Sequence, residues 1–197
     1  MVQKQETGRF DFLMVAVGRT IGGLPLAGDV MRHAGSESSD GTGLRVGLVV
    51  SRYHTAIVNA MEEAAKSTFL GAGGCAEDLL VVDAPGSFEL VVISSAMAKR
   101  QDVDAVVALG CVIRGETSHD RWINSAVSHG LADIAVATGK PVSFGVLTCD
   151  NMEQARARSG GQVGNKGEEA MQAALSAVLA IRGIQEGADA GPGVVQP

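Results

Sequence analysis

The chain has 197 residues, of which 46% are hydrophobic and 19% are charged, and its formal net charge is −6. That length supports one domain with a sizeable core, and a negative chain without a basic stripe argues against nucleic-acid binding. The three cysteines (Cys75, Cys111 and Cys149) are scattered, so neither a zinc site nor a disulfide framework is predicted. No apolar run reaches the roughly 20 residues that cross a bilayer. We therefore expect no membrane partner and a reducing, cytoplasmic setting.

The first 43 residues differ in composition from the rest of the chain. Residues 10–17 are apolar enough for a strand, and residues 35–43 are rich in serine and glycine, which is typical of a linker. Arginines and serines in this region are compatible with a targeting peptide, for example to a plastid, but its acidic residues are unusual for one. We therefore interpret residues 1–43 as an N-terminal extension that is either an arm or a targeting segment.

From residue 44 onwards, strand patterns and helix patterns alternate. Short apolar runs bounded by turn residues predict buried strands, and apolar residues spaced three or four apart predict amphipathic helices. The predicted strands are 44–50, 79–82, 105–113 and 141–147. The predicted helices are 55–70, 88–99, 121–138, 152–158 and 165–182. A catalytic domain is thus expected over 44–183, followed by a flexible tail over 184–197 that is rich in glycine, alanine and proline.

This alternation predicts an α/β fold in which a parallel sheet has helices on both faces. Right-handed crossovers bring the carboxyl ends of all the strands to one edge of such a sheet. The loops expected at that edge are 51–54, 84–89, 114–119 and 148–150. Ligands of open α/β sheets bind at this edge, so we expect the functional site among these loops.

His119 is the best candidate for acid–base chemistry. It follows strand 105–113 and a polar turn, and it lies at the start of a predicted helix. Imidazole titrates near neutral pH, and Thr117 or Ser118 is placed to cap the helix. The alternative is a capping or surface histidine, and position alone does not separate the two interpretations.

Two segments are candidates for binding an anion. Residues 114–117 precede a helix N-terminus, whose free N–H groups favour negative charge. Residues 156–167 carry two arginines and a lysine among four glycines, and Asn165 and Glu168 are spaced as in a capping box. This second segment lacks the Gly-Lys-Ser/Thr of a P-loop. For each segment the alternative is structural, namely a capped turn and a glycine-rich connection between helices.

Taken together, five motifs resemble those of the lumazine synthase (6,7-dimethyl-8-ribityllumazine synthase) family. They are Ser51-Arg-Tyr53, Pro85-Gly-Ser-Phe-Glu89, the stretch ALGCVIRGETSH over 108–119, Phe144-Gly-Val-Leu-Thr148 and Gly164-Asn-Lys-Gly167. Each motif is modest alone, but five in order with matching spacing over about 44–182 are specific. The resemblance implies a flavodoxin-like three-layer sandwich with a four-stranded parallel sheet in the order 2-1-3-4 and helices on both faces.

The resemblance also implies an activity, in riboflavin biosynthesis. Members of the family condense 5-amino-6-(D-ribitylamino)uracil with 3,4-dihydroxy-2-butanone 4-phosphate, and they release phosphate and water. They use no metal and no organic cofactor. They are pentameric, and some close into icosahedral shells of sixty subunits, so the resemblance implies a homo-oligomer with its active site between subunits. Riboflavin synthase is a candidate partner.

The resemblance assigns a role to each candidate site residue. The residues implied for the ring and the ribityl chain are Tyr53, Ser87, Phe88, Glu89, Val112 and Ile113. Those implied for phosphate are Glu116, Thr117 and Arg158, and His119 matches the proton-transfer residue. Those implied to come from the neighbouring subunit are Phe144, Lys166 and the supporting Glu169. Asp120 departs from the family pattern and is placed to hydrogen-bond His119 or a water.

Three alternatives remain open. The first is a paralogue that binds lumazine or flavin, or forms a shell, without catalysis. The second is an archaeal-type riboflavin synthase, against which the motif at 164–167 argues. The third is a flavodoxin-like electron carrier, which needs a Ser/Thr/Gly-rich phosphate loop after its first strand, whereas residues 51–54 read Ser-Arg-Tyr-His.

Overall fold

The computed structural model describes residues 39–189, in which a four-stranded parallel sheet is central. Its strands are β1 (Val46–Ser51), β2 (Leu79–Ala84), β3 (Ala105–Ile113) and β4 (Val142–Cys149), in the order β2-β1-β3-β4. The helices are α1 (Thr55–Gly71), α2 (Leu90–Ala98), α3 (His119–Thr138), α4 (Met152–Ala157) and α5 (Lys166–Asp189). Between α4 and α5, β5 (Ser159–Gly161) and β6 (Gly164–Asn165) form an antiparallel hairpin. The predicted flavodoxin-like architecture and strand order are confirmed.

Helices cover both faces of the sheet because its central strands are almost entirely apolar and are buried along nearly their whole length. Successive side chains of a strand point to opposite faces, so β1 and β3 supply two cores. Leu48 and Leu109 pack in the core shared with α1 and α5. Val49 and Ala108 pack in the core shared with α2 and α3. Burying one such Val or Leu contributes about 1.5–3 kcal/mol, which explains why these strands read as continuous apolar runs.

Helix α3 differs from its prediction at both its start and its buried face. It begins at His119 rather than at residue 121, so the histidine itself lies in the first turn. Trp122 is an apolar residue in the first turn of this helix, but it is 77% exposed. The stripe instead follows Val127, Leu131 and Ile134, which are spaced by four and three residues and are buried against the sheet.

The C-terminal helix is longer than predicted. Helix α5 continues to Asp189, whereas the tail was predicted to be flexible from residue 184. A glycine inside a helix costs about 1 kcal/mol relative to alanine but does not end the helix as a proline does, so Gly183 and Gly187 are tolerated. No helix in the described residues is long and apolar enough to cross a membrane.

The predictions for the two chain ends fall largely outside the described residues. The predicted strand 10–17, the targeting segment and the tail beyond residue 189 lie there. The end of the predicted linker is described and forms a turn on the C-terminal end of α1. In that turn the Gly41 N–H donates to the Ala72 carbonyl at 2.7 Å, and the Leu44 N–H donates to the Gly41 carbonyl at 3.1 Å.

Candidate functional site

The four strands of the sheet end at one edge, as predicted. Ser51 at the end of β1 lies beside Ala84 of β2, and Ile113 at the end of β3 lies beside Cys149 of β4. The loops that follow β1, β2 and β3 form the walls of one cleft, and a second cleft lies beside β4; the two share no lining residue. Most of the candidate residues are therefore divided between two clefts of one chain rather than gathered in one.

The first cleft has a volume of about 280 Å³ and lies between the loops after β1, β2 and β3. The candidate residues that line it are Tyr53, Ser87, Phe88, Glu89, Val112, Ile113 and His119. Its wall is completed by His54, Gly86, Cys111 and Ile123, which the motifs did not single out as site residues. Ile123 follows His119 by one helical turn, a spacing that would have indicated it. None of the described residues lining this cleft is a lysine or an arginine.

Ser87 is held against the floor of the first cleft by the end of strand β3. Its side chain is buried, and its hydroxyl donates to the Cys111 carbonyl at 3.5 Å. A Cβ added at Gly110 would lie 2.8 Å from the Ser87 Oγ and 2.9 Å from a Leu90 methyl group. The glycine in β3 therefore allows the loop before α2 to approach the strand closely.

Two aromatic rings stand exposed at the mouth of the first cleft. The Tyr53 side chain is 75% exposed and that of Phe88 is 58% exposed. Tyr53 packs edge-on against His54, with ring centroids 4.9 Å apart. The adjacent Arg52 forms ion pairs with Glu62 of α1 and Asp83 of β2, so the loop that carries Tyr53 is anchored on both sides. Exposed rings on an anchored loop are available to stack on a planar ligand.

The capping interpretations of the polar residues here are not supported. Glu89 occupies the N-cap position of α2, but its side chain makes no capping hydrogen bond. Ser118 occupies the N-cap position of α3 and makes none either. The Thr117 hydroxyl instead lies 2.7 Å from Nδ1 of His119. The Glu89 carboxylate is thus left to face the cleft that it lines.

Of the two partners expected for Asp120, His119 or a water, the described residues show no hydrogen bond to His119. Oδ1 of Asp120 is buried and has no hydrogen-bond partner in the described part of the chain. The same holds for Oδ1 of Asn124, one turn further along α3. These positions continue the buried stripe of α3 towards its N-terminus, so helix geometry turns Asp120 away from the imidazole and towards the sheet.

The second cleft has a volume of about 430 Å³ and lies beside strand β4, between α4, the hairpin and α5. The candidate residues that line it are Phe144, Arg158, Lys166 and Glu169. It is completed by Val146, Leu147, Thr148, Gln154 and Val163. Unlike the first cleft, it contains two cationic side chains, and it is the place where a phosphate would find opposite charge.

The two cations of the second cleft are brought together by the hairpin, which the sequence did not predict. The Lys166 N–H donates to the Arg158 carbonyl at 2.9 Å across the hairpin ends. Gly160 and Gly164 have φ values of 111° and 109°, which residues other than glycine rarely adopt. Lys166 is further held by Glu169, with Nζ 3.0 Å from Oε2.

The predicted capping box at the start of α5 is wrong. Oδ1 of Asn165 accepts a hydrogen bond from the Gly167 N–H at 2.9 Å, and its Nδ2 donates to the Ala60 carbonyl at 3.1 Å. Glu168 does not reach back to Asn165 but accepts from Gln172 one turn later. Asn165 therefore attaches the start of α5 to α1.

The residues predicted to bind phosphate do not come together within one chain. Glu116 and Thr117 are exposed on the loop beside the first cleft, and neither lines a cleft. Arg158 is exposed in the second cleft. Arg114 lies in the same loop as Glu116, and its guanidinium is 3.9 Å from Asp150.

The cysteines near the site are not suited to nucleophilic chemistry. Burial raises the pKa of the Cys111 thiol to about 12, and burial also raises the pKa of Cys149. A thiol must ionise to attack, so both are unreactive near neutral pH. Within residues 39–189, no three His, Cys, Asp or Glu side chains come close enough together to hold a metal ion.

The chain is similar to a group of enzymes with one shared name. The family model described as 6,7-dimethyl-8-ribityllumazine synthase matches residues 43–182. The chain is 46% identical over 136 residues to the 6,7-dimethyl-8-ribityllumazine synthase of Aquifex aeolicus, covering 69% of this chain and 86% of that protein. Identity to the protein of the same name from Thermus thermophilus is 41% over 142 residues, covering 72% and 90%. Identity to that from Rhodopirellula baltica is 45% over 131 residues, covering 66% and 84%.

Proposed function

Because the chain belongs to the 6,7-dimethyl-8-ribityllumazine synthase family, and is therefore a transferase of riboflavin biosynthesis, we propose the following reaction for it. The protein condenses 5-amino-6-(D-ribitylamino)uracil with 3,4-dihydroxy-2-butanone 4-phosphate, giving 6,7-dimethyl-8-ribityllumazine, phosphate and water. The observation that carries this proposal is the chemistry of the first cleft. Exposed rings, a hydroxyl, a carboxylate and an imidazole line one cavity, and a planar pyrimidine with a polyol chain matches that set.

Each substrate group has a suitable partner in the first cleft. Tyr53 stacks on the pyrimidine, while the backbone of Val112 and Ile113 contacts its polar edge. Ser87 and Glu89 hydrogen-bond the ribityl hydroxyls, because a carboxylate accepts from several hydroxyls at once. Phe88 lies beside them and shields the chain from water. The positions of these residues around the cleft support this proposal.

His119 performs the proton transfers. Joining an amine to a carbonyl expels water, which requires a proton on the leaving oxygen. Eliminating phosphate requires a proton to be taken from carbon. One imidazole can do both in turn, and such acid–base help is worth roughly 10²–10⁴-fold. Aligning two reactive substrates contributes at least as much. We therefore expect His119→Ala to keep a measurable fraction of kcat.

The phosphate substrate requires a second copy of the chain. The first cleft offers no cation among its described residues, whereas the second offers Arg158 and Lys166. We propose that the second cleft of one subunit completes the first cleft of the next, in a homo-oligomer that is a pentamer or a shell of pentamers. Large apolar side chains stand exposed on α2 and α3, among them Val92, Trp122 and Val136. Exposed apolar groups of this size are typical of subunit interfaces.

Incubating the purified protein with both substrates tests the proposed reaction. The lumazine product is followed by its absorbance and fluorescence, and each substrate omitted in turn provides the control. Product formation is the expected result. A protein that binds the lumazine but forms none would instead be the non-catalytic or shell-forming paralogue, and the proposed reaction would be wrong.

Arg158→Ala tests the phosphate site. The variant should raise the KM for 3,4-dihydroxy-2-butanone 4-phosphate and leave the KM for the pyrimidine substrate near its original value, because only the first carries phosphate. Arg156→Ala is the matched control, since Arg156 is an exposed arginine two residues away that lines neither cleft. An Arg158→Ala protein with normal kinetics for the phosphate substrate would contradict the assignment.

Co-assembly of two impaired variants, assayed at a concentration of the phosphate substrate well below the KM of Arg158→Ala, tests whether the site lies between subunits. His119→Ala damages the first cleft, and Arg158→Ala damages the second. In randomly mixed oligomers with equal amounts of each, about a quarter of the interfaces pair an intact first cleft with an intact second cleft. The activity of the mixture should therefore exceed the mean activity of the two variants by up to about a quarter of the wild-type activity. If mixing restores nothing, both residues act within one chain and the oligomeric site is wrong.

A further inference from the structure

The ring of His119 is exposed, yet its own turn confines it on one edge. The Thr117 hydroxyl lies 2.7 Å from Nδ1. A Cβ added at Gly115 would lie 2.9 Å from Cε1 of the same ring, a distance that real Cβ atoms essentially never show. Cε1 lies between the two ring nitrogens and is bonded to Nδ1. The edge formed by Nδ1 and Cε1 therefore packs against the turn 115–117.

Position 115 requires glycine because of the neighbouring His119 ring and not because of its own backbone conformation. Gly115 is not among the described glycines with positive φ, so its backbone conformation is open to other residues. A side chain at this position would instead occupy the space that the imidazole fills. Glycine is the only residue that leaves this space empty.

The other ring nitrogen of His119, Nε2, is available to a ligand in the first cleft. His119 lines the first cleft, and its Nε2 has no hydrogen-bond partner within residues 39–189. A hydroxyl can donate to an unprotonated Nδ1 or accept from a protonated one, so Thr117 holds the ring in either state. The orientation of the ring is thereby kept while Nε2 gains or loses a proton.

We propose that Thr117 and Gly115 are positioning residues for His119: the hydroxyl fixes Nδ1, the glycine leaves room for the ring, and Nε2 is the nitrogen that transfers protons in the first cleft. This inference rests on the proposed role of His119 in the reaction. It gives Thr117 a function that is separate from any contact with phosphate. A group that orients a histidine through its second nitrogen typically affects activity by about 10- to 100-fold in metal sites, where the same arrangement recurs.

A double-mutant cycle separates this function from a direct contact with substrate. Thr117→Val removes the hydroxyl while keeping the shape, and kcat is measured at saturating concentrations of both substrates. We expect a loss of about 10-fold or more in the His119 protein and no further loss in the His119→Ala protein, because Thr117 then has nothing to position. Thr117→Ser keeps the hydroxyl and should restore most of kcat. Equal losses in both backgrounds would overturn the inference.

The same cycle reports separately on phosphate binding. If the Thr117 hydroxyl also contacts the phosphate substrate, Thr117→Val raises the KM for that substrate in both backgrounds. The positioning effect concerns kcat and is confined to the background with His119. A full kcat in His119→Ala itself would refute the proton-transfer role of the histidine, and with it the premise of the inference.

Gly115→Ala tests the steric half of the proposal. The added methyl group displaces the ring, so kcat should fall as in Thr117→Val, while the thermal unfolding midpoint changes little because the turn is exposed. Gly71→Ala is the matched control, since a Cβ there meets nothing within 4 Å and the residue lies outside both clefts. An unchanged kcat in Gly115→Ala would show that the ring does not depend on this space.

Solid-state NMR of protein labelled with ¹⁵N-histidine tests the contact without any activity. The resonances of His119 are those that His119→Gln removes. Thr117→Val should shift the Nδ1 resonance of His119, and Thr117→Ser should leave it in place. If Thr117→Val leaves that resonance unchanged, the positioning proposal fails even where the enzyme is active. If the wild-type protein forms no lumazine, the proposed function fails, and the NMR result still decides the contact.

Discussion

Replacing Gly167 by alanine should destabilise the fold, because no space exists for a side chain where α5 begins. Gly167 is buried in the first turn of α5, next to α1. Asn165 holds this turn against α1 by donating a hydrogen bond to the Ala60 carbonyl. A Cβ at position 167 would lie 2.0 Å from the carbonyl oxygen of Met61 and 2.6 Å from its carbonyl carbon. The obstacle is backbone, which cannot rotate away as a side chain does.

The size of the effect follows from that distance. Ordinary contact of a Cβ begins at about 3.4 Å, so the start of α5 must retreat from α1 by about 1.4 Å. Overpacking of a close-packed interior costs about 1–3 kcal/mol, and contact with backbone belongs at the upper end. Alanine recovers about 1 kcal/mol over glycine inside a helix. The net loss in the free energy of unfolding is therefore about 2 kcal/mol.

Thermal unfolding at a fixed protomer concentration measures this loss, because assembly makes stability depend on concentration. For a domain of this size, about 2 kcal/mol lowers Tm by roughly 4–8 °C. Gly187→Ala is the matched control in the same helix, where an added Cβ meets nothing within 4 Å. That variant should equal or exceed the stability of the wild-type protein. If Gly167→Ala were as stable as Gly187→Ala, the close approach of the two helices would be wrong.

Two further predictions concern ionisable groups that have no role in the proposed reaction. Burial opposes ionisation of Glu62, but hydrogen bonds from Lys66 and Arg52 outweigh it and hold the pKa of the carboxyl below its usual value. The ionised Glu62 therefore stabilises the fold above that value, and this stabilisation is lost as pH falls through the lowered pKa. Urea unfolding should show that Glu62→Gln is less stable than the wild-type protein by about 1–3 kcal/mol at neutral pH. On acidification the variant should lose less of its free energy of unfolding than the wild-type protein does. Parallel pH profiles of the two proteins would contradict this. Iodoacetamide at neutral pH should label the exposed Cys75 and spare Cys111, whose pKa burial raises to about 12, and peptide masses showing Cys111 labelled first would contradict this.

The parts of the fold that were predictable depend on patterns within one segment. Strand β3 was predicted at its observed bounds because nine apolar residues in a row can only be a strand buried on both faces or a buried helix, and the flanking turns decide for a strand. The buried face of α3 was less predictable. The apolar residues near its start, including Trp122, suggested a stripe that the sheet does not use, because Asp120 and Asn124 occupy the inward positions there.

The candidate site was predictable by residue type but not by arrangement. Motif spacing identified Ser87, Glu89 and His119, and all three line one cleft. The sequence offered Asp120 as a neighbour of His119 and did not identify Thr117 as its partner. The helix that starts at His119 turns the Asp120 carboxylate inwards and leaves the hydroxyl of Thr117 beside the ring. Which side chain meets the ring depends on where the helix begins, and helix starts are set by backbone geometry that composition does not specify.

The separation of charge between the two clefts is the physical reason for the homo-oligomer that we propose. Phosphate must be held while the substrates are aligned and released once the bond to carbon breaks. A cation on the same wall as His119 would remain beside the imidazole throughout and would disfavour its protonated form. In the proposed oligomer, the cations Arg158 and Lys166 of a neighbouring subunit, which the hairpin brings together and Glu169 partly neutralises, would face only the phosphate end of the cavity. Placing these cations and the imidazole on different subunits would then let one site bind an anion at one end and transfer protons at the other.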